Sequence, residues 1–350
     1  MSDLLLGLGL PELTAAVLLL AFNAYALTGG ADFGGGFWDL LASGPRREAQ
    51  RKVIATAIAP IWEANHVWLV IVVVVCFTAF PPVFAVLGTV LHIPLTIALV
   101  GIVCRGSAFI FRSYGAHTRT QRRRWGLLFA GASVITPFLL GVVVGAISTG
   151  AVGRAQERIG AQASFAEVFV NPWLAPFPMA IGALALALFA LLSATYLTVA
   201  ATDDEVREDF RRRALGSAAA VFLAALGALV LSMEAAPMVR TGLTGAIWSL
   251  PLQLATGAAA LTGIWALWRR HYGKARVAVA AQTSLIIWGW AAAQYPYLVP
   301  PTLTIRAAAA PTVTLEVLLL LLAGGAAVLI PSLAYLLRTF MARAHDDRTA

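Results

Sequence analysis

The 350-residue chain is 60% hydrophobic and only 12% charged, and its mean hydropathy is +0.81. So few charged side chains cannot coat a soluble globule of this size, which excludes an ordinary soluble enzyme and indicates a polytopic membrane protein. The net charge of +8 predicts no nucleic-acid partner, because basic residues also gather where membrane loops meet anionic lipid headgroups.

Runs of about 20 apolar residues predict an all-α fold with nine transmembrane helices. The start of the chain lacks the basic region of a signal peptide, so we expect the first run to remain as a membrane helix. In chain order the runs cover residues 9–31, 53–77, 83–106, 125–148, 173–200, 214–233, 246–268, 277–298 and 311–337.

The basic residues predict the orientation of these helices. All but four of the 25 Lys and Arg residues follow odd-numbered runs, and the exceptions are Arg154, Arg158, Arg240 and Arg306. Cytoplasmic loops carry an excess of Lys and Arg, so we expect the N-terminus outside and the C-terminus in the cytoplasm. Arg105 and Arg112, counted after the third run, are predicted to anchor a helix end at anionic headgroups, or Arg105 pairs with an acid of an adjoining subunit.

The second run contains Glu63, Asn65 and His66 within a segment that otherwise suits lipid. An ionisable group at this depth costs at least about 2.5 to 3.5 kcal/mol, so it usually faces protein or water at a functional site. At 1.5 Å per residue, Glu63 lies roughly 15 Å from the cytoplasmic end, near the bilayer centre. His66 lies on the same helix face, as a hydrogen-bonded partner of Glu63 or of an adjoining subunit, or as a haem ligand.

Residues 28–39 form a glycine-rich segment, which we interpret as a turn after the first helix at the cytoplasmic boundary. Its glycines allow either close approach of another backbone or a break in the helix. Asp32 and Asp39 could collect protons there and pass them toward Glu63. Alternatively, Asp32 pairs with an arginine of the following loop and Asp39 is a solvated charge.

Three further residues have predicted depths. His92 is expected roughly 14 Å below the outer surface, as a core imidazole that could meet the level of Glu63. Cys76 and Cys104 fall near opposite ends of the second and third helices, so they cannot form a disulfide within one subunit.

Residues 62–69, Trp-Glu-Ala-Asn-His-Val-Trp-Leu, resemble the helix 2 signature of subunit II of the cytochrome bd-type quinol oxidases. Members often have an acid where this chain has Gly29 and aspartate where it has Glu63. Further similar segments follow in family order at residues 28–36, 105–112, 193–197, 295–300, 303–305 and 311–315.

The resemblance implies a heterodimeric terminal oxidase of the bacterial cytoplasmic membrane, which oxidises quinol and reduces dioxygen to water. The larger subunit I would carry haems of the b and d types, and this chain would bind none firmly. The resemblance is also compatible with a bound structural quinone or lipid and with a small accessory subunit. Two four-helix bundles, over 1–150 and 151–300, would precede a peripheral helix and tail over 301–350.

The same resemblance implies a proton path from the cytoplasm to a buried haem. Glu63 would be the relay, and Asn65, His66 and Asp32 would support it together with Thr56 and Ser107. Burial should favour a protonated Glu63 near neutral pH.

Two other classes of function stay open. A secondary transporter would also use a midplane site at Glu63 and Asn65, and it would need paired broken helices. Only the glycine-rich end of helix 1 and the proline-rich start of helix 5 offer such breaks. A purely structural subunit would use the same motifs for packing. The sequence lacks the phosphate-loop, zinc-helix and nucleophile-elbow motifs of nucleotide-driven and hydrolytic enzymes.

Overall fold

The computed structural model describes residues 9–115 and 118–346, apart from the side chains of 59–64, 113–114, 119, 334 and 336–346. Helices dominate this part of the chain, and one short antiparallel hairpin joins the last two long helices. In chain order the helices are α1 (Leu10–Leu40), α2 (Arg47–Ala79), α3 (Pro81–Val90), α4 (His92–Ile110), α5 (Arg119–Ser148), α6 (Ala151–Glu157), α7 (Phe165–Phe169), α8 (Pro176–Ala200), α9 (Asp204–Ala235), α10 (Pro237–Gly245), α11 (Ser249–Trp268), α12 (Tyr272–Gln294), α13 (Ile305–Ala308) and α14 (Thr312–Asp346).

A π-helical turn, Phe111–Gly115, follows α4, and strands β1 (Tyr297–Val299) and β2 (Leu303–Thr304) form the hairpin. Within the described ranges, seven helices are long and apolar enough to cross a membrane, and a bent pair would make an eighth. The chain is therefore a polytopic helical protein. The count of nine spans and the orientation stay predictions.

The predicted helix over residues 83–106 is wrong, because this region forms two separate helices. The chain bends by 114° between α2 and α3, at Phe80, and Leu91 separates α3 from α4. Pro81 and Pro82 open α3. Proline lacks a backbone donor and disfavours helical geometry in the residue before it, which ends α2 at Ala79.

This break also corrects the predicted depth of His92. His92 is the first residue of α4 and is exposed rather than buried in the middle of a helix. Its Nδ1 lies 2.8 Å from the Thr89 carbonyl oxygen, and its ring meets that of Phe169 edge-on at 5.3 Å. His92 therefore belongs to the end of the span.

The predicted turn over residues 28–39 is also wrong, since α1 continues through it to Leu40. Its glycines instead allow neighbouring helices to pack closely against α1. A Cβ added at Gly34 would lie 2.1 Å from the Phe189 carbonyl oxygen of α8, and one at Gly36 would lie 2.1 Å from Ser133 Oγ of α5. The first of the two interpretations of these glycines is confirmed, and it places Asp32 and Asp39 inside a helix.

Helix α1 lies at the centre of the fold, where it packs against α2, α5 and α8. The main hydrophobic core joins these helices to α9 and includes Phe33, Ile58, Phe129, Leu192 and Phe210. A second core joins the α2–α3 bend to α6 and the hairpin. Cys76 and Cys104 are free thiols in the described part of the chain, as predicted. The buried face of α1 therefore presents its polar residues to several helices at once.

Candidate functional site

A fully buried ion pair joins α1 to α4. Arg105 Nη2 lies 2.6 Å from Asp32 Oδ1, and Arg105 Nη1 donates to Asp32 Oδ2 at 2.8 Å. Nη2 also donates to the Asp32 main-chain carbonyl oxygen at 3.0 Å. The side chains are 1% and 0% exposed. This two-pronged geometry fixes both carboxylate oxygens, and charge-assisted bonds of this kind are the stronger class.

The guanidinium group of Arg105 is enclosed on its remaining sides. Its Nε donates to Ser133 Oγ of α5 at 2.9 Å. The rings of Phe33 and Phe129 lie 4.8 Å from its central carbon. Planar guanidinium suits this combination of in-plane acceptors and stacked rings, which a lysine could not reproduce.

Asn65 extends the cluster to α2. Its Nδ2 donates to Asp32 Oδ2 at 3.4 Å, and its Oδ1 accepts from Thr28 Oγ1 at 3.3 Å. A Cβ at Gly29 would lie only 3.1 Å from Asn65 Oδ1. Gly29 therefore leaves room for the amide, which connects the Glu63 segment of α2 to the ion pair.

A second acid–arginine pair joins α1 to the π-helical turn that follows α4. Arg112 Nη1 lies 2.7 Å from Asp39 Oδ2, and Arg112 Nη2 donates to Asp39 Oδ1 at 3.2 Å. Arg51 Nε lies 3.5 Å from Asp39 Oδ1. In both pairs the acid and the arginine are 73 positions apart in the sequence. Asp39 lies seven residues after Asp32, and Arg112 lies seven residues after Arg105. Two turns of helix therefore separate them.

The structure brings Asp32 and Asn65 together, and it places other candidates elsewhere. Glu63 belongs to α2, but its side chain lies outside the described residues. His66 and Ser107 are partly buried, on α2 and α4 respectively, whereas Thr56 is exposed. Asp32 does pair with an arginine, although it comes from α4 and not from the following loop.

The prediction that Arg105 and Arg112 anchor a helix end at headgroups is wrong. Arg105 lies five residues inside α4, and both arginines bind aspartates of α1. A charge within an apolar run requires a protein partner, so its position inside the predicted run 83–106 was a usable signal. Ser133 and the two phenylalanine rings carried no comparable signal in the sequence.

Two buried hydroxyl groups lie on helices that contribute to the cluster, Tyr25 on α1 and Thr136 on α5. Tyr25 is seven residues before Asp32 on α1, which is the same helix face. Its hydroxyl and that of Thr136 are buried and have no hydrogen-bond partner among the described residues. Such groups commonly bind internal water.

Residues 10–340 match the family model described as cytochrome bd terminal oxidase subunit II. The chain belongs to this family. Family membership and the apolar spans place it in the bacterial cytoplasmic membrane.

Individual relatives agree with this family. "Cytochrome bd ubiquinol oxidase subunit 2" of Bacillus subtilis (strain 168) is 33% identical over 38% of this chain and 39% of the relative. "Cytochrome bd-I ubiquinol oxidase subunit 2" of Escherichia coli (strain K12) is 29% identical over 53% and 46%. The matches thus span less than half the length of these two relatives.

Two matches cover nearly the whole chain. "Putative cytochrome bd menaquinol oxidase subunit II" of Bacillus subtilis (strain 168) is 24% identical over 91% of both chains. A chain of the bd oxidase structure from Geobacillus thermodenitrificans has a TM-score of 0.77 and 25% identity, over 95% of this chain and 98% of that one. The family fold therefore extends over almost the complete sequence.

Proposed function

We propose that this chain is subunit II of a bd-type terminal oxidase, which oxidises quinol and reduces dioxygen to water. The observation that carries the proposal is the likeness of nearly the whole chain to one chain of a bd oxidase. The partner would be a larger subunit I that holds the b- and d-type haems. A structural quinone or lipid and a small accessory subunit are compatible with this assembly.

Within such an oxidase, we assign this chain a proton path from the cytoplasm through Glu63. Glu63 precedes Asn65 by two residues on α2, and Asn65 reaches the buried Asp32. Asp32 would position Asn65, because Arg105 fixes both of its carboxylate oxygens. His66, one turn beyond Glu63, would complete the polar surface. The haems would supply the oxygen chemistry, while this chain would hold and pass protons.

The proposal includes nine spans with the N-terminus outside and the C-terminus in the cytoplasm. Helices α1, α2, α4 and α5 would form the first four-helix bundle, and α8, α9, α11 and α12 the second. Helix α14 would lie at the periphery. The two bundles share the contact of α8 with α1 and α5, which would hold them together.

Substitution of Glu63 by Gln tests the proton path. We expect the purified complex to retain its haem spectrum but to reduce oxygen much more slowly, since glutamine cannot release a proton. Glu48→Gln is a matched control, because Glu48 is an exposed acid on the same helix. Full activity of Glu63→Gln would exclude the path, and purification of a colourless chain without a larger subunit would exclude the oxidase.

One of the two predicted helix breaks that favoured a transporter is not present in the structure. The transporter alternative relied on a break at the glycine-rich end of the first helix, but α1 is continuous through that segment. Helix α8 starts at Pro176 and continues to Ala200, so its prolines occupy the first turn, where they are tolerated.

A further inference from the structure

A concave basic pocket lies at the predicted cytoplasmic end of α1 and α9, away from the Asp32 cluster. Its cavity volume is about 250 Å³. The connection after α1 and the first turns of α9 line it, with Ser43, Gly44, Arg46, Asp209, Arg212 and Arg213 among the lining residues. Three arginines and a single acid give this lining a formal charge of +2.

The acid of the pocket is already neutralised within the protein. Arg46 Nη2 lies 2.7 Å from Asp209 Oδ1, and Arg46 Nε donates to Asp209 Oδ2 at 2.9 Å. Gln50 Nε2 also donates to Asp209 Oδ2 at 2.8 Å. Both carboxylate oxygens of Asp209 are therefore occupied, and its charge offsets that of Arg46.

Arg213 is held rigidly and keeps one donor group free. Its Nη2 donates to Gln50 Oε1 at 2.8 Å, and its central carbon lies 5.3 Å from the Trp38 ring and 5.4 Å from the Phe210 ring. Nη1 of Arg213 is buried and has no hydrogen-bond partner in the described part of the chain. This donor needs an acceptor that the described residues do not supply.

Arg212 is the accessible cation of the pocket. Its side chain is 75% exposed, and its ion pair is a 3.3 Å contact with Glu208. Glu208 also binds Arg211 at 2.6 Å, so it does not depend on Arg212. Arg212 can therefore turn toward an external anion at little cost.

An exposed apolar strip leads away from Arg212 along α9. Gly216, Ala219 and Leu223 follow it by 4, 7 and 11 residues, which places them on one helix face, and all three are exposed. A Cβ at Gly216 would meet nothing within 4 Å, so the strip begins as a shallow groove. From Arg212 to Leu223 it measures about 16 Å, close to the thickness of one leaflet, which is about 15 Å.

We propose that this pocket and strip bind an anionic phospholipid of the inner leaflet. The phosphate would accept hydrogen bonds from the exposed Arg212, the buried guanidinium group of Arg213 would add its positive charge behind it, and an acyl chain would lie over Gly216, Ala219 and Leu223. Basic pockets between helices at the cytoplasmic surface suit anionic headgroups. The alignment of the cations with an apolar strip of leaflet length favours a lipid over a free phosphate, which would use only the pocket.

The experiment uses the complete purified complex in nanodiscs of phosphatidylcholine with a minority of phosphatidylglycerol. Native mass spectrometry counts the phosphatidylglycerol that stays bound on release from the disc. Arg212→Gln should reduce it about fivefold, the effect of one basic residue near a membrane surface. Arg124→Gln, an exposed arginine at the start of α5, removes the same charge and should change nothing.

A second variant separates a lipid from a free anion. Gly216→Leu fills the groove without changing the charge, and it should also reduce bound phosphatidylglycerol. An unchanged count in Gly216→Leu, with Arg212-dependent thermal stabilisation by inorganic phosphate, would overturn the proposal in favour of a free-anion site. Equal losses in Arg212→Gln and Arg124→Gln would overturn it in favour of diffuse attraction.

Discussion

Arg105 binds both carboxylate oxygens of Asp32 through two nitrogens. Arg112 binds Asp39 in the same bidentate way two helical turns later. The sequence separation is 73 residues in both pairs. Because the acids lie on α1 and Arg105 lies on α4, the two pairs fix how far one helix can slide or rotate against the other. The first pair is fully buried, whereas Arg112 is partly exposed.

Removal of Arg105 should destabilise the protein strongly. Arg105→Leu leaves the buried Asp32 carboxylate without its cation, and such losses cost about 3 to 5 kcal/mol. The midpoint of thermal unfolding of the purified complex measures the effect. Asp32→Leu combined with Arg105→Leu should recover much of the loss, because no unpaired charge remains.

Arg112→Leu is the control for this prediction. Asp39 keeps Arg51 at 3.5 Å and lies nearer the helix end, so we expect a smaller loss than for Arg105→Leu. Equal losses for the two arginines, or no recovery in the double variant, would contradict the assignment of Asp32–Arg105 as a buried pair.

Asn65→Leu should disconnect α2 from the ion pair without breaking it. Asp32 keeps Arg105, and Thr28 keeps its 2.8 Å bond to the Ala24 carbonyl oxygen. We therefore expect a loss of about 1 kcal/mol in stability, together with slower oxygen uptake at unchanged haem content. Thr28→Val removes the contact to Asn65 and the local bond to the Ala24 carbonyl oxygen, but it keeps Asn65 at Asp32 and should have the smaller effect on uptake; the opposite order would reject Asn65 as the connecting residue.

Gly34→Ala should force α1 away from α8. The added Cβ would lie 2.1 Å from a backbone oxygen, which cannot turn aside as a side chain could. Overpacking of this kind costs about 1 to 3 kcal/mol, measured as a lower unfolding midpoint. Gly131→Ala, where a Cβ meets nothing within 4 Å, should be neutral or stabilising because alanine favours helix.

Glu167 should make the short helix α7 sensitive to acid. The backbone N–H and hydroxyl of Ser164, with the guanidinium group of Arg158, hold the pKa of Glu167 below its ordinary value of 4.5. A lowered pKa stabilises the folded state above the unfolded value, and this contribution is lost as pH falls through the folded value.

Hydrogen exchange of residues 165–170 measures this loss. Exchange should accelerate on acidification below about pH 4.5 in the native chain, beyond the intrinsic dependence on pH, and this response should be weaker in Glu167→Gln. Glu157→Gln, an exposed acid of α6, is the matched control and should behave as the native chain does. An identical response in Glu167→Gln would contradict the prediction.

Hydropathy predicted the long helices well, because lipid selects apolar runs of sufficient length. It failed where local chemistry decides the path of the chain. Pro81 and Pro82 end α2 and open α3, and Leu91 then separates α3 from α4 inside the run that hydropathy predicted as one helix. Conversely, the glycines of α1 weaken a helix in isolation, yet contacts with α2, α5 and α8 keep it helical to Leu40.

The sequence predicted some residues of the site but not the arginine that binds Asp32. A buried acid needs a partner, so Asp32 and the polar residues of α2 could be selected by type and depth. The partner itself was missed, because Arg105 was counted with the loop residues that follow a helix. Because the chain breaks at Leu91, α4 begins at His92 and continues to Ile110. Arg105 therefore lies inside a helix and not at the end of one.

The shared 73-residue offset also constrains how sequences of this kind can change length. One residue inserted between Asp32 and Asp39 would rotate the second acid by 100° about α1 and withdraw it from Arg112. A matching insertion between Arg105 and Arg112 would turn the arginine by the same angle, but it would also displace the π-helical turn that starts at Phe111. Both seven-residue intervals should therefore keep their length among relatives that retain the four charged residues.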